Sequence, residues 1–134
     1  MGSTVRPLDL LERIAHLIDA ASHDPTDHIA ASVELDEGEL VLGVRTFDLH
    51  PTLALAGLVA PPSWWGLIVC SPGRAHFLDQ PDRPPEPIVS TYARSRDGAE
   101  VSLLRRGTDV TRLPGPAEGR IPELVQGILD ARRP

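Results

Sequence analysis

The longest uninterrupted apolar run lies near the middle of the chain and predicts a strand buried on both faces. Residues 64–70, WWGLIVC, carry only apolar side chains and one glycine, and the run stops at the turn-forming residues 71–73, SPG. Such a run, bounded by turn residues, is typical of a central strand. We therefore predict a strand over residues 64–70, a tight turn, and an antiparallel return strand over residues 74–78.

Two segments near the ends of the chain have the apolar spacing of amphipathic helices. In the first, apolar side chains recur every three or four positions with charged residues between them, which predicts a helix over residues 7–21. The second predicts a helix over about residues 121–131, opened by Pro122 and interrupted only by Gly127. Its apolar stripe consists of Ile121, Leu124, Val125, Ile128 and Leu129. We expect both stripes to pack on a sheet.

Pairs of alternating segments predict two β-hairpins. The paired segments are residues 32–36 with 39–47, and residues 88–95 with 99–106. The alternation in residues 39–47 predicts a strand with one face fully buried and the other partly covered. Asp97-Gly98 is the strongest hairpin signal, and as a two-residue turn it pairs Tyr92 with Leu103 and Thr91 with Leu104. A three-residue loop with a bulge shifts this register.

The remaining segments predict one short helix and several surface connections. Helical spacing over residues 51–58 predicts a crossover helix, with Pro51 in its first turn and Asp48 or His50 near its cap. The predicted connections are residues 23–28, 80–87 and 108–120. Together the patterns predict one α+β domain over residues 1–134. Its single antiparallel sheet has five or six strands and carries the two terminal amphipathic helices and the crossover helix.

Composition and charge narrow the class of protein. A chain of 134 residues with 41% hydrophobic and 24% charged residues is large enough for one core. Acidic residues interrupt the apolar pattern of the N-terminal segment, so we expect that it neither enters a membrane nor acts as a signal peptide. The only cysteine, Cys70, cannot form an internal disulfide, which fits a reducing compartment, and we expect a cytoplasmic protein. A formal net charge of −6 disfavours nucleic-acid binding. A local anion-binding site nevertheless stays an alternative, because four arginines are concentrated in the last third of the chain: Arg105, Arg106, Arg112 and Arg120.

The residues with reactive side chains do not form a catalytic motif. Cys70 lies inside the apolar run, where cysteine behaves as a small buried hydrophobe, and Ser71 lacks the first glycine of a nucleophile elbow. Two His and two Asp in residues 23–28 do not have the spacing of a zinc site. We therefore expect no catalytic residue, no metal site and no cofactor.

Four residues are the strongest candidates for contact with a ligand or partner. Trp64 and Trp65 stand out in a chain with few aromatic residues, and as neighbours on a strand they point to opposite faces. An exposed Trp is favoured in interfaces. Arg74 and His76 share one face of the predicted return strand, where together they could hold an anionic group.

The segment LAGLVAPPSWWGLIVCSPGR, residues 55–74, resembles a group of small actinobacterial proteins of unknown function. The later Asp97-Gly98 hairpin and the closing helical segment are similar to that group as well. The resemblance implies an actinobacterial source and no particular activity. The predicted order of elements is also similar in outline to profilin-like, roadblock-type, GAF and PAS domains, which is a likeness of topology alone.

The sequence therefore leaves three classes of function open, in this order. The first is a non-catalytic interaction or regulatory module that binds a protein partner or a second copy of itself. The second is a domain that binds a small molecule, with an anionic ligand as one option, in a pocket beside Trp64, Trp65, Arg74 and His76. The third is a hydrolase or transferase using the same pocket. An exposed apolar patch favours the first class, and a pocket with convergent polar groups favours the others.

Overall fold

The structure, a computed structural model, describes residues 7–21, 27–36, 39–76, 78–117 and 119–130. The helices are α1 (Pro7–Ala21), α2 (Pro51–Ala54) and α3 (Arg120–Asp130). The strands are β1 (His28–Asp36), β2 (Glu39–Phe47), β3 (Trp64–Ala75), β4 (Glu86–Ser95), β5 (Glu100–Arg106) and β6 (Asp109–Arg112). All six strands form one antiparallel sheet in the order β2-β1-β3-β4-β5-β6. The predicted α+β fold with a single antiparallel sheet is confirmed.

Helices pack on both faces of the sheet, and the middle of β3 is buried between them. Ile68 and Cys70 pack in a core beneath α1, whereas Leu67 and Val69 pack in a second core beneath α2 and α3. Successive side chains of β3 thus pack in two different cores. The prediction of a central strand buried on both faces is confirmed for the apolar run.

Helix α1 lies over β3, β4 and β5 and does not extend across the whole sheet. Its buried stripe consists of Leu11, Ile14, Ala15 and Ile18. On one flank of this stripe, Asp19 Oδ1 lies 3.4 Å from Arg105 Nε on β5, and Glu12 Oε1 lies 3.2 Å from Arg112 Nη1 on β6. These two ion pairs orient the charged flank of α1 towards β5 and β6. The opposite flank therefore faces β1 and β2.

The predicted turn at residues 71–73 and the return strand at residues 74–78 are wrong, because β3 runs straight through to Ala75. Its pairing with β1 ends where Ile29 meets Cys70, whereas its pairing with β4 continues past Pro72, which lies opposite Val89. Beyond Cys70 one side of β3 is therefore an open edge. A proline, which lacks an N–H group, is tolerated in a strand with an open side.

Three further predictions differ from the structure in where an element begins or ends. Strand β1 begins at His28, four residues before the predicted start at residue 32, so the last residue of the predicted polar turn belongs to the sheet, while residues 23–26 of that turn lie outside the described residues. Helix α2 ends at Ala54 and is capped by His50, whose Nδ1 accepts a hydrogen bond from the Thr52 amide at 3.3 Å. Strand β6 occupies part of the predicted connection over residues 108–120.

The Asp97-Gly98 hairpin is confirmed, with the three-residue loop. Ser95 N donates to Ala99 O at 2.9 Å, and Gly98 has the positive φ of 91° that a bulged loop of this kind requires. Thr91 consequently pairs with Leu103 and Tyr92 with Ser102, one position away from the register of a two-residue turn.

The side chain of Arg96 in this hairpin loop ties together two segments that are distant in sequence. Its guanidinium donates to Trp64 O, to Pro61 O at 2.8 Å and to Ala60 O at 3.3 Å. It also donates to Leu129 O in the last turn of α3 at 2.7 Å. One cation therefore holds the start of β3, the segment before it, and the end of α3.

Candidate functional site

The four residues singled out from the sequence lie at the two ends of β3. Trp64 and Trp65 begin the strand half-buried on opposite faces, Trp64 beside the core under α3 and Trp65 beside the core under α1. Arg74 and His76 are exposed at the far end. At roughly 3.3 Å per residue, about 30 Å separates the tryptophans from Arg74. The structure therefore does not bring the four together.

The side chains considered as nucleophiles are buried in the sheet. Cys70 has no exposed surface and packs in the core under α1, while Ser71 is 7% exposed on the other face. The Nδ1 atom of His50 lies 2.9 Å from Thr52 Oγ1, so the ring is engaged at the cap of α2. His76 is exposed beyond the end of β3.

The two edge strands of the sheet differ sharply. Strand β6 is four residues long, and its Arg112 is paired with Glu12. Short, charged edges of this kind discourage pairing with another strand. Strand β2 is nine residues long, contains no proline, and carries charge only at Glu39 and Arg45. Its outer side offers a long row of backbone donors and acceptors to a further strand.

Apolar side chains are exposed on and beside β2. We define the β2 surface as Leu35, Leu40, Val41 and Val44, which are 51%, 43%, 44% and 58% exposed, respectively. The pairing of β1 with β2 places Leu35, Leu40 and Val44 on the α1 face and Val41 on the other face. Leu17, 60% exposed, lies on the flank of α1 that faces this part of the sheet. The predicted burial of β2 is therefore wrong, because α1 lies over β3 to β5.

Three rings cluster where β1, β2 and α2 meet. The His28 ring stacks on Phe47 with centroids 5.7 Å apart, and the His50 ring lies edge-on to His28 at 6.0 Å. Burial and the neighbouring His50 lower the pKa of His28, with Asp27 acting in the opposite direction. His28 therefore favours its neutral form in the fold and serves as a packing residue.

A cavity of about 510 Å³ lies on the α3 face, in the range typical of small-molecule sites. Its lining includes Ser90, Tyr92 and Ser102 of the sheet and residues 113–117, LPGPA, which lie between β6 and α3 in the chain. We call residues 113–117 the strap. His50 and Arg120 also line the cavity. Among the lining residues that the structure describes none is acidic, although the whole chain has a net charge of −6.

Glu100 anchors the strap to the sheet. Its Oε1 accepts a hydrogen bond from the Ala117 amide at 3.1 Å, and its Oε2 accepts from the Tyr92 hydroxyl at 2.6 Å and from Arg94 Nη1 at 3.3 Å. At the other end of the strap, Leu113 N donates to Ser102 O at 2.9 Å. Burial and the hydrogen bond to Glu100 raise the pKa of Tyr92 to about 12, so the phenol remains a donor.

No protein-family model matches this chain, and comparisons with curated proteins and with solved structures likewise give no significant match. Within the described residues, no group of three or more His, Cys, Asp or Glu side chains is arranged to hold a metal ion. None of the helices in the described part of the chain is both long and apolar enough to span a membrane.

Proposed function

We propose that this protein is a non-catalytic interaction module that binds a protein partner through the β2 surface. The observation that carries the proposal is the nine-residue edge strand β2, flanked by half-exposed Leu and Val side chains. Exposed apolar clusters on otherwise soluble domains mark interaction sites, and an unpaired strand edge adds main-chain hydrogen bonds to such a site. The contrast with the short, charged β6 supports this proposal, since both strands edge the same sheet.

A photocrosslinking experiment tests this function at both edges of the sheet. The variant Val44→p-benzoylphenylalanine carries the crosslinker on β2, and the matched control Thr111→p-benzoylphenylalanine carries it on exposed β6. After irradiation in cells, we expect a defined crosslinked protein from position 44 and at least about fivefold less from position 111, because β2 is a long edge strand with little charge whereas β6 is short and charged. Equal crosslinking at the two positions, or none at position 44, would contradict the proposed function.

The cavity supports a second candidate function, the binding of a small organic anion. Arg120 and His50 line it together with two serine hydroxyls, while Val69, Leu113 and Ile121 supply apolar surface. A cationic group and hydroxyl donors beside apolar walls suit a ligand with an anionic head and an apolar body. This candidate depends on the cavity alone and is independent of the β2 surface.

Octanoate, which has a carboxylate head and an apolar chain, is the probe for this second function. Titration monitored by amide NMR is expected to shift Ser90, Ser102 and Ile121 in a saturable way. Arg120→Gln should weaken binding about tenfold, the effect of losing roughly 1.4 kcal/mol from a charge-assisted contact. Arg74→Gln, which removes an exposed arginine at the end of β3, is the matched control and should leave the affinity unchanged. Shifts that do not saturate, or equal losses in both variants, would exclude this site.

A further inference from the structure

We infer that the partner of the β2 surface is a second copy of this chain, paired antiparallel through β2 with Leu42 on the two-fold axis. The inference rests on the proposed interaction function and adds the identity of the partner and the register. A two-fold axis perpendicular to the sheet makes identical edge strands antiparallel and keeps both α1 helices on the same side. The two six-stranded sheets then become one continuous sheet.

The sequence of β2 is self-complementary in this register. The opposing pairs are Glu39 with Arg45, Leu40 with Val44, Val41 with Gly43, and Leu42 with itself. Because of the symmetry, each unlike pair occurs twice. The only two charges of the strand thus meet as opposite charges at both ends of the interface, and directly opposed charges of unlike sign stabilise a strand pair.

The apolar positions fit the same register. Leu40 and Val44, both exposed on the α1 face, pack against each other across the axis. On the other face, the half-exposed Val41 lies opposite Gly43, which leaves room for the valine side chain. A Cβ at position 43 would lie 2.7 Å from Ser32 Oγ, so a larger residue there would require the Ser32 side chain to rotate away. A glycine at position 43 therefore fits against Ser32 on β1 and against Val41 of the inferred second copy.

Neighbouring registers lose this complementarity. With the axis at Gly43, Glu39 lies opposite Phe47 and Arg45 lies opposite Val41, so neither charge has a partner directly across the axis. With the axis at Val41, Glu39 lies opposite Gly43, and Arg45 lies opposite Glu37, which is outside β2, so the two charges of the strand no longer face each other. Charge complementarity within β2 thus selects the register centred on Leu42, and it selects a second copy because one strand supplies both members of each charge pair.

Cysteine crosslinking of the purified full chain tests the register. Opposing Cα atoms in an antiparallel pair are about 4.5–5.5 Å apart, within the range of a disulfide. Leu42→Cys is therefore expected to form a covalent dimer on mild oxidation, and so is a mixture of Leu40→Cys with Val44→Cys. Leu40→Cys alone should not, because its two copies lie about 13 Å apart along the strands. Cys70 is fully buried, and the wild type serves as the blank.

Charge reversal provides a second test that does not depend on replacing a packed residue. Arg45→Glu places two glutamates opposite each other twice per dimer and should raise the dimer dissociation constant at least about tenfold, as measured by analytical ultracentrifugation. The double variant Glu39→Arg/Arg45→Glu should restore it to within about threefold.

The outcomes separate this inference from the function on which it rests. A dimer that crosslinks at position 42 and in the 40/44 mixture, but not at position 40 alone, supports the register. A dimer with another crosslinking pattern overturns the register. A chain that is monomeric at millimolar concentration overturns the second copy as partner, and the photocrosslink from position 44 to a different protein would then still support the interaction function.

Discussion

Replacing Arg96 with alanine is expected to lower the free energy of unfolding by about 3 kcal/mol, because one guanidinium satisfies four carbonyl groups in two distant segments. Alanine leaves Leu129 O and the carbonyls of residues 60, 61 and 64 without this donor. For a chain of this size the loss corresponds to a fall of roughly 10 °C in Tm. Urea unfolding followed by tryptophan fluorescence measures it directly, since Trp64 itself is one of the attached residues.

Two control variants isolate the contribution of the fork-shaped guanidinium. Arg96→Lys keeps the charge but cannot direct donors at four acceptors, so it should recover less than half of the loss. Arg74→Ala removes an arginine that is exposed at the end of β3, and its effect should stay within about 0.5 kcal/mol. If Arg96→Ala were as mild as Arg74→Ala, the hydrogen bonds of the Arg96 guanidinium would contribute nothing to stability.

The sequence predicted the elements that are governed by local pattern. Helix α1 covers the predicted residues 7–21, and α3 at Arg120–Asp130 lies within one residue of its prediction. Apolar spacing defines these helices because each packs one continuous stripe on the sheet. The apolar run of β3 was predicted for the same reason, since a strand between two cores has no polar positions.

The sequence did not predict the elements that depend on pairing between strands. Pro72 and Gly73 have the composition of a turn, yet β3 continues through them because β4 pairs with it and β1 no longer does. Strand β6 has four exposed residues and hence no apolar alternation to reveal it. The signal for β6 was Gly107, whose positive φ of 63° makes the tight turn that leads into it.

The two candidate sites depend on the order of strands, which local pattern does not contain. The alternation in β2 suggested burial. In the fold, however, β2 is an edge strand, and α1 lies over β3 to β5 and does not cover it. The apolar side chains of β2 therefore remain exposed in the fold. The cavity was not predicted because its lining comes from β3, β4, β5, the strap and α3, which meet only in the folded chain.

Replacing Glu100 with alanine is expected to cost about 2–3 kcal/mol and to release the strap from the sheet. The carboxylate accepts hydrogen bonds from Tyr92, Arg94 and the Ala117 amide, so its removal leaves a buried phenol and a backbone donor without their acceptor. Hydrogen exchange at the Ala117 amide should accelerate by more than the global loss of stability explains, because among the described residues the other backbone anchor of the strap lies at its far end, at Leu113.

Glu100→Gln separates the charge from the geometry of this anchor. The glutamine side chain keeps one acceptor oxygen where glutamate has two, so we expect a loss of about 1 kcal/mol and partial protection at Ala117. Tyr92→Phe removes the donor rather than the acceptor, and it should leave exchange at Ala117 unchanged because Oε1 still holds that amide. If Tyr92→Phe accelerated Ala117 exchange as much as Glu100→Ala, the strap would be held by packing around the phenol and not by the carboxylate.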